Sequence, residues 1–195
     1  MTEDFERLYV DLGHRAGRYA VRVHSHSLPP ETPARFDGPT ITLDPGYDSE
    51  SRCFYLAHAL GSIAHWSTDL SGSRAVFDEL HAADASRTAD AARFKRAVAG
   101  HLAFEERASG HAIWLLADIG QAGAITAYTV FFRADMAAIE EYHRSGVAPV
   151  WREFYPAWKE KARSAAAPFA PRPVSAFRAV TIPTQEVLRE EDGRD

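Results

Sequence analysis

The sequence predicts an α+β fold, mainly α, in which a small β-sheet packs beside two central helices and further helices follow towards the C-terminus. Three observations carry this expectation. Two short segments, 19–24 and 40–43, alternate with period two. A Pro- and Gly-punctuated loop joins them, and from about residue 52 onward apolar residues recur at helical spacing. The chain has 195 residues, 46% hydrophobic and 11% aromatic, enough to bury one core. A single domain is therefore expected over residues 1–165, with a Pro-rich arm and an acidic tail over residues 166–195.

Taken in order, residues 4–17 set Phe5, Leu8, Tyr9 and Leu12 on one side of an amphipathic helix that Gly17 is expected to end. The two strands come next, with Pro29, Pro30, Pro33 and Asp37-Gly38-Pro39 marking the loop between them. Asp48-Ser49-Glu50-Ser51 can cap a helix running from about 52 to 66. Ser71-Gly72-Ser73 reads as a break. A long helix follows over roughly 88–119, with Phe94, Val98, Leu102, Leu115 and Leu116 as apolar positions and Gly120 and Gly123 at its end. Segments 124–132, 136–144 and 150–162 read as three more helices. Pro149 suits the first turn of the last, and Pro156 should kink it. Residues 169–182 are expected to lie as an arm on the body and the extreme end to be disordered.

Composition and charge narrow the function. A formal net charge of −5 argues against direct nucleic-acid binding, which needs clustered Lys and Arg to neutralise phosphates. Cys53 is the one cysteine, so neither a disulfide framework nor a cysteine-rich zinc site is expected, and a structural thiol is the simpler reading. Met1-Thr2-Glu3-Asp4 is acidic with no apolar run behind it, and no later stretch has the character of a membrane span; the expected location is cytoplasmic. His24 and His26 share one side of a strand, a weak metal signal. No Gly-rich phosphate loop or nucleophile elbow is present.

Two segments carry more. Ile41-Thr42-Leu43-Asp44 is followed by Phe54-Tyr55-Leu56-Ala57-His58-Ala59-Leu60-Gly61-Ser62-Ile63-Ala64-His65, and later by Glu105-Glu106-Arg107-Ala108-Ser109-Gly110-His111-Ala112-Ile113-Trp114-Leu115-Leu116. Together they resemble the hallmark of the ImmA/IrrE-like (zincin-type) metallopeptidases: a short strand, a helix reading Ala-His-Glu-Leu-Gly-His, and a second helix with a glutamate, small residues and a Leu-Leu pair. The resemblance spans about residues 41–120. It implies a zincin-like fold in which two histidines four apart and a distant glutamate hold zinc. A glutamate after the first histidine then acts as general base on metal-bound water.

The resemblance places His58 at the first ligand and Glu105 at the third. The second ligand position is Ser62 and the general-base position is Ala59. Ala59 cannot accept a proton and a serine hydroxyl is a poor zinc ligand, so no catalytic residue and no cofactor are expected, and His58, Ala59, Ser62 and Glu105 mark a former active site. His65 is a poor substitute, since seven helical residues put it about 10 Å from His58. His101, one turn before Glu105 on a shared face, and less readily His111, could approach His58. The alternative is therefore zinc on His58, Glu105 and His101 in a hydrolase.

The residues alone also admit a plainer reading. Leu56, Leu60 and Ile63 form one stripe while Tyr55, His58, Ser62 and His65 form a second, which could be a polar face with His58 bonded to Glu105. Gly61 facing Ala108 and Ala112 suits close helix packing in either case. Trp151, Phe154, Tyr155 and Trp158 recur at helical spacing, which fits either core or a partner surface. The function expected from all this is a protein- or peptide-binding regulatory domain, a catalytically inactive relative of the family. An oligomerising structural domain is a further possibility. Active members of the family cleave DNA-binding repressors, so the resemblance implies a regulatory or stress-response setting.

Overall fold

The computed structural model describes residues 4–29, 32–162, 169–174 and 177, the side chains of Lys161 and Ala162 excepted. Among these lie six α-helices, a short 3₁₀ turn and three strands, a mainly α arrangement of the α+β class. Helix α1 (Phe5–Arg18) is capped by the Asp4 carboxylate on the Arg7 N–H and buries Leu8, Leu12 and Ala16. It runs past Gly17. The left-handed residue that ends it is Ala20, at φ 57°, where the Val21 N–H closes back on the Ala16 carbonyl at 3.0 Å.

Strands β1 (Arg22–Ser25), β2 (Ala34–Phe36) and β3 (Thr40–Leu43) form a sheet of order β1-β3-β2, with β1 parallel and β2 antiparallel to β3. Strand β2 lies within the stretch that punctuation marks as loop. Three residues are too few to show a period, and Pro33 precedes them; what makes the strand is its partner. Ala34 pairs with Leu43 and Phe36 with Ile41, and Gly38 at φ 96° turns the hairpin while Asp37 accepts the Thr40 N–H at 2.8 Å.

Helix α2 (Ser49–Thr68), capped by Asp48, is buried on nearly every side, with Phe54, Leu56, Leu60 and Ile63 fully enclosed. A helix apolar all round belongs at the centre of a domain. It ends at Asp69, not at Ser71-Gly72-Ser73. Those residues form the first turn of α3 (Leu70–Asp84), where the Asp69 carboxylate accepts the Gly72 N–H at 2.9 Å, so small polar residues start this helix instead of breaking it. The long helix α4 (Ala91–Asp118) is capped by Asp90. Beyond the 3₁₀ turn (Ala122–Ala124), α5 (Ile125–Ser145) runs unbroken where two helices were expected. Arg133-Ala134-Asp135 contains no breaker, and Phe131, Phe132 and Ala134 are buried as one stripe. Gly146 at φ 78° ends it, and α6 (Trp151–Ala162) follows with Pro156 inside.

Helices α2 and α4 form the centre. A Cβ on Gly61 would collide with the Ala108 carbonyl oxygen and meet the Ala112 nitrogen at 2.8 Å, so only glycine allows this approach. Phe54 packs edge-on to Phe5 and Tyr128 and tilted on Phe131, which joins α1, α2 and α5. At the C-terminal side, Phe169 is buried against Phe132, the Arg172 N–H donates to the Gly110 carbonyl at 2.9 Å, and Phe177 stacks on Tyr19 at 3.8 Å. The remainder of the expected arm and the acidic end lie outside the described residues. No helix among the described residues is long and apolar enough to cross a membrane.

Candidate functional site

The close approach at Gly61 lets side chains of α2 and α4 meet one turn away. His58 Nε2 lies 3.1 Å from Glu105 Oε2, and His101 Nε2 lies 3.2 Å from Glu105 Oε1, so one carboxylate sits between two imidazoles. All three side chains are about nine-tenths buried. An ionised carboxylate only accepts, so His101 donates from Nε2; its Nδ1 lies 3.2 Å from His143 Nε2 on α5. The Ser62 hydroxyl stands 3.3 Å from His58 Nε2, and the His58 ring stacks on Phe132 at 4.6 Å. His101 thus joins His58 and Glu105, as the sequence allows.

The electrostatics follow from burial and proximity. Burial disfavours charge on His58, but the adjacent Glu105 carboxylate and the charge of Asp135 outweigh it, and its pKa is raised. Burial would likewise raise Glu105; His101 and His58 overcome this and hold it well below the usual carboxylate range. His143 is pushed down to about 4, chiefly by burial and then by the charge of His101. Asp135, which accepts the Tyr55 O–H at 3.3 Å, is pushed up to about 6 by burial, partly offset by His58.

Tyr55, Asp135 and His143 belong to this network, yet sequence reasoning did not single out Asp135 or His143. Asp135 fell in the gap between two expected helices. The signal that could have found it is the buried stripe of Phe131, Phe132 and Ala134, on which an acid one turn along must be paired.

Ala59 is buried and offers only a methyl group, and Ser62 is buried beside His58. The zinc set that the resemblance implies therefore does not fit: one ligand is a hydroxyl and the base is missing. Among the described residues no group of three or more His, Cys, Asp or Glu is arranged to hold a metal ion. In place of that set, Glu105 joins the imidazoles of His58 and His101.

His65 stands apart from this cluster. Its Nε2 accepts the Arg107 Nε–H at 3.2 Å, its ring lies 5.7 Å from that of His111, and burial with the charges of Arg107 and His111 pushes its pKa down to about 4. His111 faces the C-terminal segment, its Nδ1 3.0 Å from the Arg172 carbonyl. His24 and His26 are exposed on and just beyond β1. Cys53 is buried, and its thiol, pushed up to about 12 by burial, donates to the Phe5 carbonyl at 2.9 Å, as suits a structural residue. On α6, Trp151 and Tyr155 are buried, and Phe154 and Trp158 pack partly buried against the same core. No family model matches the chain, and no curated protein or solved structure matches it, which leaves the geometry of the site as the ground for a functional reading.

Proposed function

We propose that this chain is a non-hydrolytic relative of the ImmA/IrrE-like metallopeptidases, acting as a regulatory domain that binds a protein or peptide without cutting it. The observation that carries the reading is the filled state of the former ligand positions. Ser62 is bonded to His58, Ala59 has no acceptor, and the Glu105 carboxylate is shared between His58 and His101. A carboxylate engaged in this way stabilises two helices and leaves no base to activate water. Strand β1 supports the binding half: it is an edge of the sheet, mostly exposed, and an extended peptide can add to such an edge through main-chain hydrogen bonds. The charge balance and the expected cytoplasmic location agree with a protein partner and not with direct nucleic-acid binding.

A second reading, a hydrolase with zinc on His58, Glu105 and His101, is favoured by one specific observation. Glu105 Oε2 is buried and makes no hydrogen bond among the described residues, although His58 Nε2 approaches it to 3.1 Å. A buried acceptor of this kind suits a cation. An oligomerising role through α6 has less support, since Trp151 and Tyr155 are core residues.

Metal analysis of the purified protein after zinc loading and desalting separates the first two readings, with His58→Ala and Glu105→Ala as controls. The expected result is no metal above background in any of the three. One equivalent of zinc in the wild type, lost in both variants, would replace the pseudo-peptidase reading with the hydrolase.

A further inference from the structure

Residues 169–174 of the C-terminal arm have no regular secondary structure, yet they are held on α4 and α5 by specific contacts. The Phe169 ring is buried, edge-on to Phe132 at 5.5 Å, with Arg133 Cζ 4.0 Å from its centroid. Three positions on, the main chain of Arg172 is bonded in both directions. Its N–H donates to the Gly110 carbonyl at 2.9 Å, and its carbonyl accepts from His111 Nδ1 at 3.0 Å. Between these points the Ala170 carbonyl passes so close to α4 that a Cβ on Gly110 would come within 2.6 Å of its oxygen. Glycine is unfavourable inside a helix, and here the three atoms nearest to the missing side chain all belong to the arm.

These are the contacts of a recognised extended peptide: one aromatic anchor, and main-chain bonds that read no side chain. Pro171 and Pro173 fix φ on either side of Arg172, which lowers the entropy lost on docking. The hold is thin all the same. Ala170, Pro171, Arg172 and Pro173 are exposed, so one buried ring, two hydrogen bonds and the half-buried Val174 must offset the ordering of six residues. Charge works against the arm as well. Arg172 adds a positive charge where Arg107 already lies: the charges of both depress His65, and that of Arg172 depresses His111. An acidic residue in its place would reverse the sign of this interaction.

We propose that the surface of α4 and α5 from Gly110 to Phe132 binds an extended peptide of a partner protein carrying an aromatic residue and, three positions on, an acidic one. The arm fills this site in cis as a weaker ligand. This assignment rests on the reading of the chain as a peptide-binding domain and names the class of peptide, at a place distinct from the β1 edge. Phe132 also stacks on His58, so the bound aromatic ring lies one ring away from the former active site.

Fluorescence anisotropy of two labelled hexapeptides titrated with the full chain tests it. One has the arm sequence Phe-Ala-Pro-Arg-Pro-Val, and the other carries glutamate in place of the arginine. The expected result is saturable binding of both, about five-fold tighter for the glutamate peptide, as for one charge interaction reversed near the surface. Phe169→Ala, which frees the site of its own arm, should bind both about ten-fold more tightly. Gly110→Ala, whose methyl group takes the space of the Ala170 carbonyl, should bind neither. No binding to Phe169→Ala at millimolar peptide, or an arginine peptide as tight as the glutamate one, would overturn the proposal. So would a wild type that dimerises by exchanging arms, which makes a second copy the occupant. Binding unchanged in Gly110→Ala overturns this site and leaves the chain a peptide binder at another surface, whereas stoichiometric zinc overturns the pseudo-peptidase reading and leaves this site standing. Should Phe169→Ala fail to fold, Arg172→Glu on the exposed part of the arm gives the same decision. It should hold the arm more firmly and weaken binding of the glutamate peptide about five-fold, and an unchanged affinity counts against the proposal.

Discussion

His58 and His65 lie on one helix, seven residues apart, and α4 treats them in opposite ways. His58 meets a carboxylate and has its pKa raised, while His65 meets a guanidinium and has its pKa lowered to about 4. Burial pushes both imidazoles towards the neutral form, so it cannot explain the difference. The partner one helix away does: Glu105 brings a negative charge to His58, whereas Arg107 brings a positive charge and an N–H to a lone pair of His65. The two sites share a scaffold and its Gly61 contact. What separates them is two positions along α4.

The strongest test of this contrast removes the carboxylate. Glu105→Ala leaves His58 and His101 facing each other without an acceptor, and urea denaturation at pH 7 should register a loss of about 3–5 kcal/mol, as for other broken buried pairs. A cost below about 1 kcal/mol would mean that the carboxylate is not what holds this end of the helix pair together.

Next in size is the contact that both sites rely on. Gly61→Ala places a methyl group against the Ala108 carbonyl and the Ala112 nitrogen, so α2 and α4 must part. The expected loss is about 1–3 kcal/mol by the same measurement, the range for overpacking a well-filled interface. Nuclear magnetic resonance should show the imidazole signals of His58 and His65 shifting together.

The smallest effect concerns pH. His65 and His143 have folded pKa values of about 4, below the ordinary histidine value of about 6.5, so between these values the unfolded chain binds protons that the folded chain does not. Their contribution is present above pH 6.5 and lost as pH falls towards 4. His58 works in the opposite sense: its raised pKa favours the folded state below the unfolded value, and that contribution is lost as pH rises through the folded one. Three depressed histidines, His65, His111 and His143, together with the depressed Glu105, outweigh the raised His58 and Asp135, so Tm should fall between pH 6.5 and 4. His65→Gln, which can still accept from Arg107, should make that fall shallower. An unchanged slope in His65→Gln would remove His65 from the account.

Much of this was legible in the sequence because it is local. Asp4, Asp48 and Asp90 cap the helices that follow them through bonds to residues three positions on. The period-two segments gave β1 and β3, and the apolar spacing gave α1, α2, α4 and α6. The replacement of base and ligand by Ala59 and Ser62, and the candidacy of His101, could also be read from residue types and helical spacing alone.

Tertiary structure decided the rest, because those features depend on what lies across a gap. Strand β2 exists through pairing with β3, and α5 continues through Asp135 because the buried stripe of Phe131, Phe132 and Ala134 before it runs on into the partly buried Met136 and Ala138. The helical period says that His58 and His65 share a face but not that one meets Glu105 and the other Arg107. Whether a carboxylate faces an imidazole or a metal is a matter of tenths of an ångström between helices, and spacing along one chain does not contain that distance. The Trp151 N–H, without an acceptor among the described residues, is of the same kind, since a donor lacks an acceptor only once its neighbours have been placed.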